Sequence, residues 1–176
     1  MKAGAAFLLG VIIGIVAWLW VMFWPFAGVK YAAFGLITTG FYFAHGGAWR
    51  AAPIVIVGTI LGTIFAIITL VLAQLFVPAI TPIPGMLLAI AITTVLAALV
   101  TTSGPEVLSS LPTVLGVWAA ELMTILQVMG RPPVLDWAKN GPDFGQFLYA
   151  GIVGVLFVGF GIFYPNKWLA GALFKS

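Results

Sequence analysis

Glu121 is the residue in this chain with the clearest capacity for chemistry. It lies within an apolar stretch. A charged side chain at the centre of a membrane helix costs about 2.5–3.5 kcal/mol on insertion scales. Groups kept at that cost usually face a helix-bundle interior or an aqueous cavity, where they relay protons, touch a solute or line a vestibule. A plainer reading puts Glu121 near the outer interface, or protonated and hydrogen-bonded to a neighbouring helix. His45 is the sole histidine. A histidine can titrate near neutral pH, donate to a solute or shuttle a proton. The plainer reading, and the one favoured here, is that His45-Gly46-Gly47 ends a helix among the headgroups.

Two polar groups accompany these residues. Thr38, Thr39, Gly40 and Tyr42 precede His45, and Ser109, Ser110, Thr113, Gly116 and Trp118 precede Glu121. In lipid, small residues let helices approach and Thr or Ser hydroxyls bond across them, so helix packing alone accounts for both groups. The alternative is a pathway lined by hydroxyls, backbone carbonyls and aromatic faces. Such a lining suits a small neutral polar solute, because no fixed charge is placed to hold an ion. The candidate pathway residues are therefore Thr38, Thr39, Gly40, Tyr42, His45, Thr113, Gly116, Trp118 and Glu121.

Enzyme chemistry finds little footing. No carboxylate pair lies close in sequence, and no H-E-x-x-H, Gly-rich phosphate loop or G-x-S-x-G motif is present. Ser103-Gly104-Pro105 reads as a helix terminator rather than a nucleophile elbow. Asp136 and Asp143 both fall in a loop, which leaves no paired-Asp site at membrane depth. Cysteine is absent, which removes thiolate chemistry and Cys-based metal sites. A haem would need a second histidine. No catalytic residue, metal ligand or cofactor is expected. Nucleic acid is not an expected partner either: the net charge is +3, but the cations are spread singly.

The elements that must position these residues are membrane helices. Hydrophobic residues make up 63% of the 176 and charged residues 6%. A soluble domain carries roughly 25% charged residues. Seven Lys and Arg with four Asp and Glu cannot cover a globule of this size, so the partner of most of this surface is the lipid bilayer. A span needs about 20 apolar residues. Residues 5–24 form the first, closed by Trp18, Trp20 and Trp24. The run is too long for a signal-peptide core and lacks an A-x-A cleavage pattern. Residues 31–47 form a shorter second segment, either a helix buried among others or a re-entrant piece. Residues 53–76 are a clear span, followed by a tight turn at Pro82, Pro84 and Gly85. Residues 85–102 and 106–127 come next. The polar stretch 130–142 reads as a loop, with a short interfacial helix at 134–139. Residues 144–164 are the last span, and the tail from Asn166 suits the interface. The fold class is all-α: a polytopic transmembrane helix bundle of six membrane segments in one domain, residues 1–176. Interfacial belts account for most of the aromatic residues near span ends. The positive-inside rule narrowly favours cytoplasmic termini, with Lys2, Arg50, Lys167 and Lys175 inside.

A local repeat accompanies this layout. Gly40-Phe41-Tyr42-Phe43-Ala44-His45 parallels Gly116-Val117-Trp118-Ala119-Ala120-Glu121. After the 130–142 insertion, Ile56-Val57-Gly58 parallels Ile152-Val153-Gly154. Three segments per half is an odd number, so halves 5–76 and 84–164 would face opposite ways, as in many transporters. In a chain this rich in Gly, Ala, Val and Ile, short matches also arise by chance, and the six-segment reading does not depend on the repeat.

The run Thr39-Gly40-Phe41-Tyr42-Phe43-Ala44-His45-Gly46-Gly47 resembles the YcdZ-like bacterial inner-membrane proteins, a family of unknown function. The tryptophan-rich first span and the overall length agree with it. His45 beside the glycine pair and the 130–142 insertion depart from it. The resemblance implies a bacterial inner-membrane location and transfers no site residue. The residues themselves point first to a channel or facilitator for a small neutral polar solute, assembled as a homo-oligomer. Second, they point to a structural or accessory subunit with partner subunits in a larger membrane complex. A third reading is a proton-coupled transporter using Glu121.

Overall fold

The structure, a computed structural model, describes residues 3–47, 49–105, 110–129, 137–158, 161 and 165. It is all-α, with six helices and, among the described residues, no strand. The helices are α1 (Ala3–Phe23), α2 (Ala32–Ala44), α3 (Ala51–Ala79), α4 (Pro82–Ser103), α5 (Leu111–Met129) and α6 (Trp137–Val158). Each answers to one segment expected from the sequence. Three stretches are long and apolar enough to cross a membrane: α3, α4 and the Gly141–Val158 part of α6. Gly10–Phe23, Ala32–Ala44 and Leu111–Gln127 are shorter apolar helical stretches.

The chain forms two compact units. One comprises Met1–Ala52 with Tyr149–Ser176, and the other Pro53–Leu148. In the first, the turn that follows α1 and the end of α2 each close on a glycine in the left-handed conformation. Gly28 has φ 67° and Gly46 φ 87°. Val29 N–H donates to Trp24 O and Gly47 N–H to Tyr42 O, each across five residues. Gly28 and Gly46 N–H donate across three. This is the Schellman closure, which satisfies carbonyls that a helix end leaves orphaned. At 13 residues, α2 is about 20 Å long, short of the ~30 Å hydrocarbon core.

Burial along α2 follows one face: Phe34, Gly35, Thr38, Thr39 and Tyr42. Gly35 lies under the Trp20 ring, and a Cβ there would stand 2.5 Å from Trp20 Cζ2. Trp20 is buried, and its Nε1 donates to Ala32 O at 2.8 Å. The ring also meets Phe157 of α6, with centroids 5.6 Å apart. Gly154 of α6 is in backbone contact with Gly35, so this unit is held together by glycine contact and aromatic cover.

In the second unit, Phe65 of α3, Ala97 of α4 and Val114 of α5 form a buried cluster. Leu61, Ile68, Leu115 and Trp118 pack against it. Three expectations are corrected here. Pro82, Pro84 and Gly85 are not the turn after α3. They form the first turn of α4, where a proline loses nothing because the first N–H groups have no helical partner. Gly85 N–H donates to Thr81 O. The helix α3 also runs on through Pro78 to Ala79 rather than stopping at 76. The stretch 130–142 is not loop throughout, since α6 begins at Trp137 and continues through Pro142. A proline there removes one backbone bond, and the buried Phe144, Phe147 and Ala150 downstream hold the helix in place. The start of the fifth segment at Glu106, the 134–136 part of the interfacial helix and the tail from Asn166 lie outside the described residues.

Candidate functional site

The second unit holds the one buried ionisable group of the expected pathway set. On α3, Gly58-Thr59 and Gly62-Thr63 repeat a Gly-Thr pair at a spacing of one helical turn. A Cβ at Gly58 would stand 2.7 Å from Thr113 Cγ2 of α5. One at Gly62 would stand 2.5 Å from Val117 Cγ1 and 3.0 Å from the Trp118 backbone nitrogen. The two glycines therefore bring the α3 and α5 backbones close together. The paired positions advance together, 58 with 113 and 62 with 117, so α3 and α5 run parallel. That is what two helices joined through a returning α4 must do.

One residue beyond Gly62, the Thr63 hydroxyl meets Glu121 Oε1 at 2.5 Å. Glu121 is 0% exposed, and its Oε2 has no hydrogen-bond partner among the described residues. A buried polar atom without a partner is unusual in a native structure, which makes this carboxyl the candidate centre of the site. Thr63 Oγ1 also lies 3.0 Å from Thr59 O. Thr59, Thr69, Thr93 and Thr101 each donate to the carbonyl four residues back on their own helix. Further along, Trp118 Nε1 donates to Thr69 Oγ1 at 2.8 Å. At the start of α5, Ser110 Oγ donates to Thr113 Oγ1. Hydroxyls and one indole N–H thus run along the α3–α5 seam around a single carboxyl.

Of the nine residues singled out in the sequence, Thr113, Gly116, Trp118 and Glu121 stand on α5 in this unit. Thr38, Thr39, Gly40, Tyr42 and His45 stand on α2 or at its end in the other. There the Thr38 hydroxyl has two carbonyl acceptors within reach, Gly35 O at 3.0 Å and Gly151 O of α6 at 3.1 Å. Thr39 donates to Gly35 O. Both hydroxyls serve backbone carbonyls, the second of Thr38's acceptors lying on α6. Tyr42 is fully buried. Gly40 faces open space. His45 is the half-buried residue that closes α2, its backbone N–H donating to Phe41 O. Thr59, Thr63 and Thr69 were not among the nine. The Gly-Thr repeat at one-turn spacing marks the first two in the sequence only as a packing face, not as neighbours of Glu121. No group of three or more His, Cys, Asp or Glu among the described residues could hold a metal.

Residues 10–166 match the model of a family described as a protein of unknown function, DUF1097. The chain belongs to the DUF1097 family. The match runs from within α1 past the end of α6, so most of α1 and all of α2 to α6 lie in the DUF1097 region. Neither a curated protein nor a solved structure matches this DUF1097 chain.

Proposed function

We propose that this DUF1097 protein is a membrane channel or facilitator for a small neutral polar solute of the urea, amide or ammonia type. The observation that carries this reading is the Glu121 carboxyl, fully buried and with Oε2 without a hydrogen-bond partner among the described residues. A carboxyl oxygen in that state needs an N–H or O–H. A solute with N–H groups can supply such a donor, and the Thr63 hydroxyl at Oε1 can also accept. The helices α3 and α4 carry no ionisable residue and α5 carries Glu121 alone, so no second fixed charge stands on these three helices. No covalent step is invoked, and the protein is read as a non-enzyme without a cofactor.

In this reading all six helices are membrane segments of a bacterial inner-membrane protein with cytoplasmic termini, assembled as a homo-oligomer. On residues 39–47 the chain is also assigned to the YcdZ-like proteins. The inverted repeat draws support from which helices share a unit. Under the repeat α1, α2 and α3 correspond to α4, α5 and α6. One unit contains α1, α2 and the later part of α6, and the other contains α4, α5 and α3. Each thus joins two helices of one half to the third of the other. The aligned glycines Gly58 and Gly154 are the contact points in both, on α5 and on α2 respectively.

Stopped-flow light scattering on proteoliposomes with a panel of such solutes tests the function. Faster entry than into protein-free vesicles is expected for at least one of them. Equal rates across the panel end the proposal. A second reading, an accessory subunit of a membrane complex, is favoured by α1. Its Gly10 and Gly14 face open space, with Phe7, Val11 and Ile15 exposed around them, and this small-x-x-x-small spacing suits a partner helix. Purification from native membranes in mild detergent decides it. A partner retained in fixed ratio supports the subunit reading, and a homo-oligomer alone removes it.

A further inference from the structure

Thr63 has one hydroxyl proton and two acceptors within reach, Thr59 O at 3.0 Å and Glu121 Oε1 at 2.5 Å. It cannot donate to both. Two proton arrangements fit the same heavy-atom positions. In one, Thr63 donates to a carboxylate at Oε1. In the other, a carboxyl O–H on Oε1 donates to Thr63 Oγ1, and Thr63 donates to Thr59 O, as Thr59, Thr69, Thr93 and Thr101 each do to their own helix. A hydroxyl can act as donor and acceptor together, which makes this second chain complete. The two arrangements interconvert by gain or loss of one proton and rotation of one O–H bond.

The surroundings leave the proton as the only charge that can enter this balance from the helices in contact. Thr63 is the α3 residue bonded to Glu121, and α3 as a whole carries no ionisable side chain. The helix α4, which shares the Phe65–Ala97–Val114 cluster with α5, carries none either. On α5 itself Glu121 is the sole ionisable group. No cation on these elements stands ready to pair with a carboxylate.

We infer that Glu121, with Thr63 as its switchable partner, is a proton-binding site whose proton is exchanged as solute moves. This rests on the facilitator reading for the solute, but not for the proton site itself. Binding forms one O–H bond on Oε1 and breaks one in a hydronium ion, which is left as water; the Thr63 hydroxyl exchanges its hydrogen bond to Oε1 for one to Thr59 O. Release reverses both changes. The carboxyl is then either a neutral acid or an anion within the α3–α5 seam.

Infrared difference spectroscopy of the reconstituted full chain, cycled between acidic and alkaline buffer, tests the proton site. A carboxylic C=O band that grows on acidification and shifts in D2O is expected. It is absent in Glu121→Gln and moved in frequency in Thr63→Val, which keeps the carboxyl but removes its partner. Circular dichroism and a monodisperse elution profile check that each variant is folded. The bands of Glu106, Asp136 and Asp143 persist in Glu121→Gln and serve as internal reference. If no Glu121-dependent band appears at any pH in a folded protein, the inference is overturned, whatever the solute assays show. A pH dye inside the vesicles then reads the coupling. Under a solute gradient the internal pH is expected to move in the wild type and not in Glu121→Gln. Solute entry with unchanged internal pH overturns the coupling. Failure of every solute to enter overturns the facilitator reading, and the infrared result separates that failure from failure of the proton site.

Discussion

Thr63 and Glu121 are joined across α3 and α5 by a 2.5 Å hydrogen bond, one residue beyond the glycine that lets the two helices touch. The bond and the contact are consequences of one register. Gly62 removes the side chain that would hold the helices apart, and the next residue along the chain then reaches a carboxyl that has no other partner among the described residues.

Thr63→Val tests the energetic side of that relationship. It keeps the shape and deletes the hydroxyl, leaving both carboxyl oxygens without a protein partner among the described residues. A buried polar group stripped of its hydrogen bond costs about 1–3 kcal/mol, and more when charged. Thr63→Ser is expected to stay near wild type. Thr63→Val with Glu121→Leu is expected to recover part of the loss, because an apolar pair strands no polar group. Denaturation by SDS titration in mixed micelles measures all three. A Thr63→Val protein as stable as wild type contradicts the account.

The sequence carried much of this architecture, for a reason that differs by element. Apolar length identified α3, α4 and the later part of α6, because a membrane span needs about 20 apolar residues whatever the tertiary packing, whereas α2 stood out as a shorter apolar segment. Glu121 was legible because a carboxylate in such a run is conspicuous. Boundaries near proline were not legible. Pro82 and Pro84 begin a helix and Pro142 lies inside one, and a proline marks a change in backbone bonding without saying on which side of it the helix lies. The partner of Glu121 was hidden too. Thr63 sits in a span that reads as plain apolar helix, and only the pairing of α3 with α5 shows that it matters. His45 and Glu121 align in the repeat, yet one is a half-buried helix end and the other a fully buried mid-helix group.

Gly62→Ala is expected to weaken the second unit more than Gly58→Ala. At Gly58 the new methyl meets only the Thr113 side chain, at 2.7 and 3.1 Å. At Gly62 it meets Val117 Cβ at 2.7 Å and the Trp118 backbone nitrogen at 3.0 Å, so α5 itself must move. Overpacking of this kind costs about 1–3 kcal/mol. Gly40→Ala, facing open space, is the control and is expected to cost nothing. The same denaturation assay ranks the three. A Gly40→Ala protein that folds normally yet loses solute entry would show that Gly40 serves the pathway rather than packing.

Gly154→Ala is expected to be the most damaging glycine change in the first unit. Its Cβ would stand 2.6 Å from both the Cα and the carbonyl oxygen of Gly35. All three atoms nearest to it are backbone, so no side chain can yield. Separating α2 from α6 there also breaks the Thr38 bond to Gly151 O. Thr38→Val removes the hydroxyl from both Gly151 O and Gly35 O without crowding the backbone, and is expected to cost only about 0.5–1.5 kcal/mol. A smaller loss in Gly154→Ala than in Thr38→Val would contradict the close contact at Gly35.

Trp118 and Thr69 decide whether the α3–α5 seam is dry. Trp118 Nε1 donates to Thr69 Oγ1 at 2.8 Å, and Thr69 donates onward to Phe65 O at 2.8 Å. Trp118→Phe removes the donor but leaves Thr69 its own acceptor, a loss of about 0.5–1.5 kcal/mol. Thr69→Val instead strands the indole N–H, and in a dry seam that costs about 1–3 kcal/mol. The order of the two variants is therefore the informative quantity. With Thr69→Val the more destabilising, and the double variant close to Trp118→Phe alone, the seam excludes water and the indole serves packing. If Thr69→Val costs nothing while Trp118→Phe does, water has taken the place of the hydroxyl. A polar file then runs past Trp118, and Glu121, one turn further along α5, has an aqueous route by which a solute or a proton can reach it.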